Sequence, residues 1–133
     1  MTAGARGHVG VLYYWTPSSK APDAVPANAV WYARYVDSTN ADSAHPTWRL
    51  TTLEKLHHKG LICRGLNCDL DESSTPPRKT PARFAGDFVG AAIGPDGAAY
   101  LSWMGADKQP GDLPADPSSN YGVIRFARVP AAR

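Results

Sequence analysis

The segment His57-His58-Lys59-Gly60-Leu61-Ile62-Cys63-Arg64-Gly65-Leu66-Asn67-Cys68 holds both cysteines of the chain and two of its four histidines. Two thiols beside two imidazoles could form a metal site, a redox pair or a disulfide. A tetrahedral zinc site needs four ligands, usually a closely spaced cysteine pair matched by a second pair. Here four residues separate the cysteines, no second pair exists, and adjacent His57 and His58 on an extended chain point to opposite sides. A redox dithiol prefers two intervening residues beside a βαβ unit, and neither feature is present. A disulfide between Cys63 and Cys68 fits best, because Gly65 lets the chain turn tightly enough to bring the two Cα atoms together. Such a short loop contributes near the lower end of the usual ~2–4 kcal/mol. Its role would be to stiffen a loop, and it implies an oxidising compartment. No metal and no cofactor is expected.

Other chemistry-bearing residues lie on alternating segments. Arg34, Arg125 and Arg128 interleave with apolar residues, as side chains that cover a face or form ion pairs do. Arg83 and Asp87 flank the entry to an apolar stretch. With Arg64 in the cysteine loop, and with Tyr121 at the start of the last apolar stretch, they are the candidate ligand-binding residues. The bland alternative is an Arg–Asp pair or a turn cap holding the long loop.

The elements that must position these groups are strands. Residues 8–15, 29–36, 47–53, 87–94, 98–105 and 121–129 are rich in β-branched and aromatic residues or alternate in polarity. The stretch 87–94 is apolar on both faces, as expected of a strand covered on both sides. Pro95-Asp96-Gly97 is a tight-turn signal joining it to 98–105 as a hairpin. The one helical candidate is short, Thr51 to His58. Twelve glycines and twelve prolines in 133 residues favour short elements and loops.

The strands repeat. An aromatic-rich segment ending near Trp15 leads through a Pro-rich excursion to Tyr32-Ala33-Arg34. A second, near Trp103, leads through a similar excursion to Phe126-Ala127-Arg128. Repeated antiparallel meanders with long loops are the pattern of propeller blades. At about 40–50 residues a blade, the chain holds about two four-stranded-type antiparallel blades of an incomplete, all-β propeller. The first portion spans 1–53, a long connecting loop with the cysteine pair spans 54–86, and the second portion spans 87–133. The first is expected to lack its innermost strand and the second its outermost. A propeller has at least four blades, so the missing blades, or self-association through exposed sheet edges, are expected partners.

The run Val30 to Leu53 is similar to the Asp-box (BNR) repeats of sialidase-like propellers. Pro46-Thr47-Trp48 matches the end of the box, His45 stands at its glycine, and Ser43 stands where the aspartate belongs, one place from Asp42. The loop with Gly60, Cys63, Gly65 and Cys68, followed by Asp87-Phe88 and the Pro-Asp-Gly hairpin, resembles a secreted bacterial subgroup of that family. The resemblance covers residues 8 to 129. It implies a glycan-related, exported parent protein of exo-sialidase-like glycoside hydrolase type. Catalysis there uses an arginine clamp for the substrate carboxylate, a tyrosine nucleophile activated by a glutamate and an acid/base aspartate. None of these is matched by motif here, so the piece is not expected to be catalytic alone. The alternative is a non-catalytic propeller module that binds glycan or protein through aromatic rim loops, and a carbohydrate or glycoprotein is the expected ligand.

Composition narrows the partners. The formal net charge is +2, and no basic cluster reaches the density of a nucleic-acid footprint. No apolar run approaches the roughly 20 residues that span a bilayer. The N-terminal segment lacks the charge and apolar run of a signal peptide. An extracellular location is therefore expected only for a downstream part of a longer exported protein.

Overall fold

The computed structural model describes residues 1–22, 24–26, 28–59, 89–107 and 121–131. They form two antiparallel sheets, and no helix occurs among them. The first sheet is a meander of β1 (Thr2–Ala3), β2 (Val9–Trp15), β3 (Val30–Ser38) and β4 (Arg49–Lys59). The second is β5 (Gly90–Ile93), β6 (Ala99–Asp107) and β7 (Tyr121–Val129).

Three sequence expectations need correction. The first sheet has a fourth strand, because Thr2 and Ala3 pair with Gly10 and Val9. Thr51 to His58 is not helical but lies within β4. Its register against β3 runs Ala33 opposite Glu54 and then Arg34 opposite Thr52, so Leu53 is the extra residue of a β-bulge. A bulge switches the residues that follow it to the other face. Here it sends Glu54 and Leu56 toward the second sheet and leaves Leu53 and Leu56 three apart, a spacing that imitates a helical stripe. Finally, β5 is not covered on both faces by the described residues: Ala92 is exposed, and so is Val89 just before the strand.

The sheets pack face to face around one core. Leu12, Trp31, Ala33, Tyr35 and Leu56 of the first sheet meet Ala99, Leu101, Trp103 and Val129 of the second, with Val25 from the Pro-rich excursion. Ala33 and Tyr35 are fully buried. The first strands of the two meanders, β1 and β5, lie together, and β4 lies against β6. The loop of the β5–β6 hairpin turns at Gly97, in the left-handed region with φ 73°, where a side chain is strained.

The repeat has two parts that behave differently. Ala33 and Ala127 both point to the core, while Tyr32, Arg34, Phe126 and Arg128 lie on outward faces. Under a rotation that carries one blade to the next, equivalent residues face the same way round the ring. Ala33 and Ala127 instead face each other, as in a two-fold sandwich. Trp15 lies on the outward face of its sheet and Trp103 on the inward face of its own, so both face the same way round. Trp15 ends β2 as the sequence indicates, whereas Trp103 is buried in mid-strand.

Candidate functional site

The seam between the sheets carries polar groups at both ends. At one end the Trp103 indole Nε1 donates to Glu54 Oε2 at 2.7 Å, and Arg125 Nε lies 3.5 Å from Glu54 Oε1. The Tyr14 hydroxyl donates to the Met104 carbonyl at 3.0 Å and accepts from the Met104 N–H at 2.9 Å. A tyrosine beside a glutamate and an arginine has the composition of a sialidase nucleophile, but its electrostatics run the other way. Burial raises the Tyr14 pKa, the Met104 N–H lowers it in part, and the Glu54 charge raises it further. An activated phenol needs its proton accepted by a base and its pKa lowered. Tyr14 donates to a carbonyl and joins β2 to β6, so it is a sheet-to-sheet tie.

At the other end Asp37 is 2% exposed and takes a two-pronged bond from Arg49, Nε to Oδ1 at 3.0 Å and Nη2 to Oδ2 at 2.8 Å. Arg49 Nη2 also donates to the Pro130 carbonyl at 2.9 Å, tying β4 to the segment after β7. Buried His8 brings Nε2 to 3.6 Å from Asp37 Oδ2, beyond hydrogen-bond range. The bond to Asp37 raises the Arg49 pKa. The Tyr35 hydroxyl, against Gly10, has its pKa raised by burial and by the Asp37 charge, with Arg49 opposing.

Just outside this cluster the segment that resembles an Asp box forms a turn organised by Asn40. Its Oδ1 accepts from the Thr47 N–H at 2.8 Å, the Thr47 hydroxyl at 3.1 Å and the Ser38 hydroxyl at 3.0 Å. Asp42 turns away to pair with Arg6 at 3.0 Å. Thus Asn40 holds the loop, not Asp42 or Ser43. The loop presents Trp48, 53% exposed, at a pocket of about 170 Å³ shared with Asp37, Ser38, Thr39, Thr47 and Arg49. Drug-sized sites occupy about 300–1,000 Å³, so this pocket has room for one ring. An exposed indole can stack on the apolar C–H face of a sugar ring. Asp37 is buried with both oxygens on Arg49, and the Ser38 and Thr47 hydroxyls donate to Asn40, so exposed Thr39 and the acceptor side of Thr47 are what the pocket offers to sugar hydroxyls.

A larger open groove, about 530 Å³, runs along the outward face of the second sheet past Gly90, Ala92, Tyr100, Ser102, Phe126 and Arg128. Phe126 is 79% exposed and Ile124 66%. Its one cation is already paired, Arg128 Nη2 to Asp96 Oδ2 at 2.8 Å, and that bond lowers the Asp96 pKa. The groove is suited to packing, not to polar recognition.

Of the residues singled out in the sequence, Arg64, Arg83, Asp87 and the Cys63–Cys68 pair lie outside the described residues. Tyr121 is the first residue of β7, opposite Asp107. Arg34, Arg125 and Arg128 do not converge: one stacks on aromatics, one meets Glu54 and one meets Asp96. Asp37 and Arg49 were not singled out. Their signal was their place on the strands flanking the box, where a charge on an otherwise core-facing strand position needs a partner. Among the described residues no group of three or more metal-ligating side chains gathers, and no helix is long and apolar enough to cross a membrane. No protein family, curated protein or solved structure matches the chain.

Proposed function

We propose that this chain is a glycan-binding part of an exported, sialidase-like β-propeller protein, and that the pocket beside Trp48 takes the sugar. The observation that carries the reading is the exposed Trp48 indole held by the Asn40-centred turn at a small pocket that it shares with Thr39 and Thr47. It falls within the segment that resembles an Asp box. Two antiparallel meanders stacked face to face, each with its first strand beside the other's, and Trp15 and Trp103 facing the same way round, support neighbouring blades, whereas the facing of Ala33 and Ala127 favours a sandwich. The uncovered Phe126 and Ile124 face is where a further blade would pack. Binding is favoured over hydrolysis because Tyr14, which feels the Glu54 charge, is engaged with the Met104 backbone on both its donor and acceptor sides.

The test is a glycan panel probed with the intact chain and with Trp48→Ala. Retention of one or more glycans by the native chain, weakened at least tenfold in the variant at unchanged thermal stability, is the expected result. No retention by either protein, or equal retention by both, would remove the site. A fluorogenic sialoside assay on the parent protein addresses hydrolysis directly. Export is tested by thiol titration of protein purified without reductant: the Cys63–Cys68 disulfide predicts no free thiol.

A further inference from the structure

The face of the first sheet turned away from the seam gathers Tyr13 and Trp15 on β2, Tyr32 and Arg34 on β3, and Thr52 and Lys55 on β4. The register sets Tyr13 opposite Arg34, Trp15 opposite Tyr32, Arg34 opposite Thr52 and Tyr32 opposite Lys55. The Arg34 guanidinium carbon lies 3.5 Å from the Trp15 ring centroid and 5.5 Å from that of Tyr32. Its Nε is buried and has no hydrogen-bond partner. The acids of the same strands lie on the opposite face, Asp37 with Arg49 and Glu54 with Trp103. Among the described residues no carboxylate shares the outward face, and no ion pair engages Arg34 or Lys55. The bulge at Leu53 separates the charges, because it turns Glu54 inward and Lys55 outward.

Two cations with no counter-ion among the described residues, set among Tyr and Trp, form a surface that attracts negative charge. Tyr, Trp and Arg are the residues that dominate protein–protein binding energy. A guanidinium already stacked on an indole has lost little further entropy when it takes a carboxylate in its planar fork. The guanidinium also covers one Trp15 ring face, which makes the indole a poor platform for a sugar and distinguishes this face from the Trp48 pocket. We propose that the outward face of β2–β4 docks an acidic segment of a partner protein. Asp or Glu carboxylates of that segment meet Arg34 and Lys55, and its apolar side chains lie on Tyr13, Trp15 and Tyr32. The proposal is independent of the Trp48 glycan site, and it competes with the propeller reading, in which a further blade would cover this face.

The experiment is fluorescence anisotropy with the full chain and a labelled ten-residue peptide alternating Glu and Leu, beside the same peptide with Gln for Glu. The expected result is binding of the Glu peptide, at least tenfold tighter than the Gln peptide. Arg34→Met weakens it at least tenfold, Lys55→Met weakens it less, and Lys20→Met, an exposed charge removed from the loop after β2, leaves it unchanged. Arg34→Lys keeps the charge without the planar fork. It gives an intermediate loss, and it carries the test with Lys55→Met if Arg34→Met does not fold. Equal binding of the two peptides, an equal loss in Lys20→Met, or full displacement by methyl glucuronoside would overturn the proposal. The first two outcomes mean non-specific attraction, and the third means a sugar site.

Discussion

Trp103 on β6 reaches across the seam and donates its indole N–H to Glu54 on β4 at 2.7 Å. The bond joins two sheets whose strands lie far apart in sequence, and it exists because the bulge at Leu53 turns Glu54 inward. Glu54→Ala leaves a buried indole donor without an acceptor, which costs about 1–3 kcal/mol. Glu54→Gln keeps an acceptor for the indole and loses only the charge facing Arg125, so it costs less. Urea unfolding of the two variants should rank Ala below Gln below native. Equal midpoints for Ala and native would mean that Trp103 finds another partner.

Tyr14 and Tyr35 both hold their protons more tightly in the fold than in the unfolded chain, chiefly because burial disfavours the phenolate. Stability from these groups is therefore fully present below the ordinary tyrosine pKa of about 10 and is lost as pH rises through the elevated folded values. The expected outcome is a steepening loss of stability above about pH 10, followed by thermal unfolding at several pH values. Tyr14→Phe cannot titrate and should show a shallower alkaline slope. At neutral pH it loses both bonds to Met104, at a cost of about 1–3 kcal/mol for buried groups left unmatched.

The Asp37–Arg49 fork should tolerate no change of shape. Arg49→Lys keeps the charge but cannot make the two parallel bonds to Asp37 together with the bond to the Pro130 carbonyl. The expected loss is about 1.5–3 kcal/mol. Asp37→Asn should cost more, since the acid is the more deeply buried partner and the Arg49 cation then lacks its counter-charge. Guanidinium denaturation checks both. Faster amide exchange after Val129 in Arg49→Lys would show that the bond to Pro130 fastens the segment following β7.

Gly97 should resist substitution by alanine. Its φ of 73° is a conformation that L residues adopt at a cost of about 1–2 kcal/mol, and an added Cβ would lie 3.2 Å from the Ala131 Cβ. Gly97→Asn, which visits that region more readily, should lose less. The melting temperatures of the two variants measure the difference.

How much of this was legible in the sequence depends on how local each cause is. The Asp96-Gly97 turn, the alternation in β3 and the aromatic content of β2 are properties of a few adjacent residues, and each showed directly. The bulge did not. Leu53 and Leu56 look like a helical stripe until a neighbouring strand fixes the register. The Trp15 and Trp103 match concealed that one tryptophan faces out and the other in, which follows from which face of each sheet meets the other.

By itself the sequence determined that the described residues are all-β, with antiparallel hairpins whose turns and alternation lie within short stretches, because pleat and turn preferences act between near neighbours. Only the tertiary structure decided which charges are matched. Asp37 meets Arg49, Glu54 meets Trp103, and Arg34 stacks on Trp15 with no acid beside it among the described residues. Pairing across strands and between sheets depends on register, and in this chain the extra residue at Leu53 sets the sides of the sheet that Glu54 and Lys55 occupy.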